Sequence, residues 1–155
     1  MILTIELVPS SCWFSNVREA VSNSQWETIK KATSLKANHR CEICNGVGPK
    51  WPVECHEIWH YDDSNHIQSL TGTIALCPDC HMVKHFGLAR VKGNERKATA
   101  HLREVSGLSS EEADSMIEKA FAVYRERSNH KWILNLEHLE TAFGIKDYLK
   151  KESSS

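Results

Sequence analysis

No apolar run in this 155-residue chain approaches the ~20 residues that a helix needs to cross a bilayer. The opening "MILTIELVP" is apolar but lacks both a basic leader and a small-residue cleavage site. These absences predict a soluble, cytoplasmic protein with no membrane partner. Proline and glycine are few, at 4 and 7 residues, and no internal repeat or low-complexity segment interrupts the chain. With 41% hydrophobic residues, a chain of this length buries one core but hardly two independent ones, so one compact domain is expected. Net charge is nearly absent as well, at −1, yet the charge is segregated. Counting Lys and Arg against Asp and Glu gives +4 over residues 29–50, −5 over 51–83 and +5 over 84–103. Two basic stretches that flank an acidic, histidine-rich one point to a polyanionic partner if folding joins them.

Six cysteines in a chain without an export signal read as metal ligands rather than disulfides. Cys41 and Cys44 form one Cys-x-x-Cys pair and Cys77 and Cys80 another, the spacing that lets both thiolates of a turn face one tetrahedral zinc. The 32 residues between the pairs exceed the roughly 15–20 of a minimal four-cysteine ribbon, so an element is inserted between the two knuckles. Cys12 and Cys55 stand outside both pairs and read as small buried hydrophobes.

Periodicity supplies the scaffold. Ile2 to Val8 alternates like a strand; Ser24 with Glu27 reads as a capping box opening a helix that runs to Asn38. Val53 to Trp59 and Ile67 to Leu76, the latter interrupted at Gly72, read as a hairpin turned by "DDSN". Pro78 and Asp79 open a helix expected to end at Gly87. Glu95–Val105 and Ser110–Arg127 read as amphipathic helices, the first closed by Gly107 and the second capped by Ser109 with Glu112. "KWILNLEHLETAFG" reads as a short strand and a helical turn, and residues 151–155 as a disordered tail.

Five of the nine histidines lie within thirty residues. His81 and His85 are four apart on an expected helix, so their imidazoles share one face and can hold one ion. His56, on the hairpin packed against that helix, can supply a third nitrogen. Three neutral nitrogens leave a coordination position open, as in a catalytic rather than a closed structural site.

Residues 38–88, from "NHRCEICNG" through "VECHEIWHYDD" to "TIALCPDCHMVKHFG", resemble the HNH endonucleases, in particular their zinc-ribbon subgroup. "CHMVKH" is similar to the metal-binding helix of colicin-type DNases. The resemblance implies an α+β fold: a β-hairpin plus helix braced by a four-cysteine structural zinc, with residues 1–37 and the helices of 89–150 flanking it. It also implies a divalent catalytic ion (Mg2+, Mn2+, Ni2+ or Zn2+) on His56, His81 and His85, and hydrolysis of phosphodiester bonds in nucleic acid, DNA more than RNA. The chain departs from the family at two of its three named letters: Glu57 stands at the base-histidine position and Gly72 at the middle asparagine. A carboxylate can take the water's proton. Alternation on a strand, however, turns Glu57 away from His56 unless the strand bulges, which leaves His60, of the same parity as His56, as the alternative base or fourth ligand. Lys84, Arg90, Lys92, Arg96, Lys97 and Arg103 are candidate phosphate contacts. The rival reading is a catalytically silent zinc module that binds nucleic acid or a protein through the same surface. A protein partner or a homodimer would use the C-terminal helices.

Overall fold

The computed structural model describes residues 2–149, so the expected tail over 151–155 lies outside the described residues. Its centre is a three-stranded sheet in the order β1-β2-β3: β1 (Glu54–Asp62) antiparallel to β2 (Ile67–Leu76), and β2 parallel to the short β3 (Ile133–Asn135). Helices cover both faces, which makes the fold α+β. α1 (Val17–Ala20) and α2 (Asn23–Lys36) precede the hairpin; α3 (Pro78–Lys84), α4 (Phe86–Val91), α5 (Glu95–Ser106) and α6 (Ser110–Arg127) follow it, and α7 (His138–Phe143) closes the described chain.

The alternation of the strands divides the apolar residues between two cores. Ile58, Ile74 and Leu76 join Val83, Phe86, Leu102 and Ile117 on the face covered by α3 to α6. Cys55, Trp59 and Leu70 join Val17, Ile29, Leu134 and Leu139 on the face covered by α1, α2 and α7. Ile58 pairs with Gly72 but Trp59 with Leu70, so Thr71 is the extra residue of a bulge and the break falls one residue before the glycine expected to mark it. β1 lies at the edge of the sheet, open along one side.

Three expectations are corrected. Ile2 to Val8 forms no strand, because its side chains rather than a backbone ladder tie it down: Leu3 is buried, Thr4 Oγ1 accepts from Lys84 and Glu6 meets His56. The helix over 23–36 is capped reciprocally by Ser22 and Gln25, not Ser24 and Glu27, since Ser24 already lies within its first turn. The helix after the second knuckle does not end at Gly87. It breaks at His85 (φ −100°, ψ 50°), and Gly87 sits inside α4. By contrast, Gly107 closes α5 in the left-handed conformation and Ser109 with Glu112 caps α6 as expected.

A buried hydroxyl pair fastens α2 to the sheet. Thr33 donates to the Ile29 carbonyl at 2.8 Å and lies 2.6 Å from Thr73 Oγ1, so Thr73 is the donor between the two. Thr33→Val takes from the buried Thr73 hydroxyl its acceptor and is expected to cost about 1–3 kcal/mol in urea unfolding, whereas Thr33→Val with Thr73→Val restores most of that loss. Additive losses would show that the pair is not coupled.

Candidate metal centre

The 32-residue insertion between the knuckles is the hairpin itself, a closed excursion that returns Cys77 to the level of Cys41. The first knuckle docks on the end of β2: Glu42 N–H donates to the Ala75 carbonyl at 2.9 Å and Ala75 N–H to Glu42 Oε2 at 2.8 Å. Cys77 is the N-cap of α3, its sulfur accepting the Cys80 N–H, while Gly46 N–H points at Cys44 Sγ; both bonds are 3.4 Å. Gly48 is obligatory by close approach, since a Cβ there would lie 2.8 Å from the Pro78 ring at the start of α3. The four sulfurs of Cys41, Cys44, Cys77 and Cys80 converge within 4.8 Å of one another, with Cys44 and Cys77 3.6 Å apart. A hydrogen bond from Cys80 pulls the Cys41 thiol down to about 4, and the same bond drives the Cys80 thiol up. Burial pushes Cys77 to about 11. A thiolate at Cys41 is thus favoured, while Cys77 and Cys80 are held protonated until a cation balances them. Four thiols with backbone N–H groups aimed at sulfur suit a tetrahedral Zn2+, so this cluster can hold one. His101, from α5, brings its Nε2 to 3.1 Å from Cys80 Sγ and ties the C-terminal helices to the cluster. No spacing motif links His101 to the knuckles.

On the neighbouring surface of the same helix, His56, His81 and His85 offer nitrogens that all lie within 4.8 Å of one another. His85 keeps its place beside His81 although it caps α3, because its N–H still donates to the His81 carbonyl, and the two Nε2 atoms are 3.1 Å apart. Burial holds His56 and His85 below the usual imidazole range, His85 down to about 3, with the neighbouring imidazoles adding to the effect. Both rings are thereby kept neutral, and a neutral imidazole has one unprotonated nitrogen that can bind a metal. Glu54 Oε1 lies 2.8 Å from His81 Nδ1; a carboxylate only accepts, so the ring proton sits on Nδ1 and Nε2 turns toward His85. Glu6 Oε2 stands 3.3 Å from His56 Nε2 and 3.5 Å from Lys84 Nζ. Burial works to raise the Glu6 pKa, but the His56 hydrogen bond and the Lys84 charge outweigh it and hold the group below the usual carboxylate range.

No family model, curated protein or solved structure matches the chain. What the centre can do is set by the placement of its side chains.

Glu57 is not brought to the three imidazoles. The alternation of β1 turns it to the opposite face, where its Oε2 accepts the Val17 N–H at 2.8 Å. Burial raises its carboxyl to about 7 against the lowering effect of that N–H. His60 shares the parity of His56 but lies four residues along the strand, roughly 13 Å away, beyond reach of the same ion. Lys84 is buried, with its Nζ spent on Thr4 and Glu6, and so is not a surface phosphate contact. Arg90 is held by Glu95 at 2.8 Å and lies over the Phe121 ring at 4.1 Å. Lys92, Arg96, Lys97 and Arg103 are exposed, Lys97 within 3.7 Å of Asp79. Glu6 and Glu54 went unread in the sequence. Glu54 carried a signal, its shared parity with His56; Glu6, fifty residues away, carried none.

Glu54→Ala is expected to weaken divalent-ion affinity at the histidine cluster by roughly 10–100-fold in isothermal titration calorimetry without altering the far-UV circular dichroism. Unchanged affinity would mean that Glu54 does not orient His81. Glu57 yields a pH prediction. In the native state it takes up its proton at about 7 and in the unfolded chain near 4.5, so the native state holds more protons between those values and rising pH weakens the fold across that window. Glu57→Gln, which keeps an acceptor for Val17, is expected to melt higher than the parent at pH 8 and not at pH 4.5.

Proposed function

We propose that the protein is a metal-dependent endonuclease of the HNH type that hydrolyses phosphodiester bonds in nucleic acid, with DNA the favoured substrate. The observation that carries this reading is the convergence of His56, His81 and His85, of which His56 and His85 line an open groove of about 690 Å³ and His81, with Glu54, lines a second one of about 440 Å³. The order knuckle, hairpin, knuckle and α3 along the chain supports the HNH reading. A divalent ion held by the three imidazoles would supply positive charge to the scissile phosphate and the departing oxygen.

The chain's own residues do the rest. Glu54 fixes the tautomer of His81, and Lys84 together with His56 keeps Glu6 ionised. Glu6, the carboxylate nearest the imidazoles that faces the groove, is assigned the role of accepting the proton of the attacking water. The base position of the family, Glu57, faces the groove from the other side of β1. That placement is also what favours the second reading, a silent zinc module that holds nucleic acid through Lys92, Arg96, Lys97 and Arg103.

Nicking of supercoiled plasmid in Mg2+ or Mn2+ separates the two. Cleavage is expected from the parent, abolished in His81→Ala with zinc content and melting intact, and lowered about 10²–10⁴-fold in Glu6→Gln. Intact plasmid across a panel of divalent ions, with protein in excess, would overturn the nuclease reading. Binding that survives His56→Ala and falls steeply with salt would then support the module.

A further inference from the structure

The histidine cluster borders two grooves of opposite charge. The one lined by His56 and His85 also carries the carboxylates Glu6 and Glu57, and its one arginine, Arg90, is engaged by Glu95. A phosphate chain entering there would meet two acids and no free cation of the lining. The other groove holds His81 and Glu54 together with Arg18, Lys30, Trp26 and Trp51. Arg18, in α1, is exposed and forms no ion pair among the described residues. Lys30, in α2, reaches only Glu27, at 2.7 Å, and both side chains of that pair are exposed. A surface pair of this kind contributes little, so the ammonium is readily given up to a phosphate.

Trp51 adds an aromatic surface whose position is tied to the histidines. It is half exposed, and its Nε1–H donates to Glu54 Oε2 at 3.0 Å, while Glu54 Oε1 accepts the His81 Nδ1–H at 2.8 Å. One carboxylate therefore holds both the indole and an imidazole of the cluster. An indole held in this way is a stacking platform for a base that is not already stacked in a duplex. Cations, indole and His81 all line the same groove, so a strand lying in it has a phosphate and a base within reach of the cluster without crossing the acidic side.

We propose that the groove of Arg18, Lys30, Trp51 and His81 seats a single nucleic-acid strand, with Arg18 and Lys30 on its phosphates and an unpaired base stacked on Trp51. This deepens the nuclease reading and rests on it for the cutting step alone. It moves the binding surface from the basic stretch after α3 to α1 and α2, which lie outside the stretch that resembles the HNH family.

The groove is tested without cleavage, by fluorescence anisotropy of a labelled oligothymidylate with no Mg2+ or Mn2+ added. The parent is expected to bind the single strand at least tenfold more tightly than the same strand annealed to oligodeoxyadenylate. Arg18→Gln and Lys30→Gln are each expected to make the fall of log affinity with log salt shallower by about 0.7, whereas Lys119→Gln, an equal loss of charge on the exposed face of α6, leaves it unchanged. Trp51→Leu is expected to bind about tenfold more weakly with the parent's salt slope, and Trp51→Phe, which keeps an aromatic face but no N–H for Glu54, to recover most of the loss. A role exerted through Glu54 alone would leave Phe as weak as Leu. The strand and duplex comparison uses the unaltered protein and therefore holds even if a variant folds poorly. Equal affinity for strand and duplex, or the parent's salt slope in both Arg18→Gln and Lys30→Gln, overturns the groove; if the parent still nicks plasmid, the nuclease reading survives that failure. Strand binding with the expected slopes in a protein that cuts nothing upholds the groove and removes the nuclease reading instead.

Discussion

Four cysteine sulfurs lie within 4.8 Å of one another, closer than four thiolates could sit without a cation between them, and the rest of the molecule is arranged around that constraint. Cys41 and Cys44 come from a loop hydrogen-bonded to the end of β2; Cys77 and Cys80 open α3. Ionisation of the Cys41 thiol suppresses that of Cys77 and Cys80. A zinc ion held there would displace the remaining protons and join loop, strand and helix at one point. His81 follows Cys80 directly, so the start of α3, once fixed, also sets the position of the histidine cluster. His101 carries the same anchorage into α5.

The second organising feature is the open edge of β1. A strand shows its side chains to two faces, and in a central strand those faces stay apart. At an edge, a single groove can pass around the backbone and collect side chains from both. His56 and Glu57, adjacent in sequence, therefore face different cores and yet line the same cavity. The N-terminal segment completes the site. It contributes no ladder hydrogen bonds as a strand, and it places Glu6 against His56 and Thr4 against Lys84.

Much of this was legible in the sequence where the signal is local. Two Cys-x-x-Cys pairs, His81 and His85 four apart, the hairpin between the knuckles and the caps of α5 and α6 all depend on neighbours within a few residues, and the structure reproduces them. The strand expected over Ile2–Val8 failed because alternation records only which side chains are buried, and here burial was met by side-chain contacts. The helix end assigned to Gly87 failed because a glycine can stop a helix or sit within one, and packing of Phe86 and Ala89 into the core settled the matter. Lys84 looked like a surface cation because sequence charge carries no information about depth.

The sequence by itself determined the ligand inventory and its spacing: four cysteines able to share an ion, three histidines able to share another, and an α+β scaffold to carry them. These follow from the short-range geometry of turns and helices. Only the tertiary structure decided which carboxylate stands beside the imidazoles. Glu57 occupied the expected position in the chain but is turned through the sheet to Val17, while Glu6, fifty residues from His56, is laid against it by the burial of Leu3 and the hydrogen bond of Thr4. Long-range packing has no signature in local spacing.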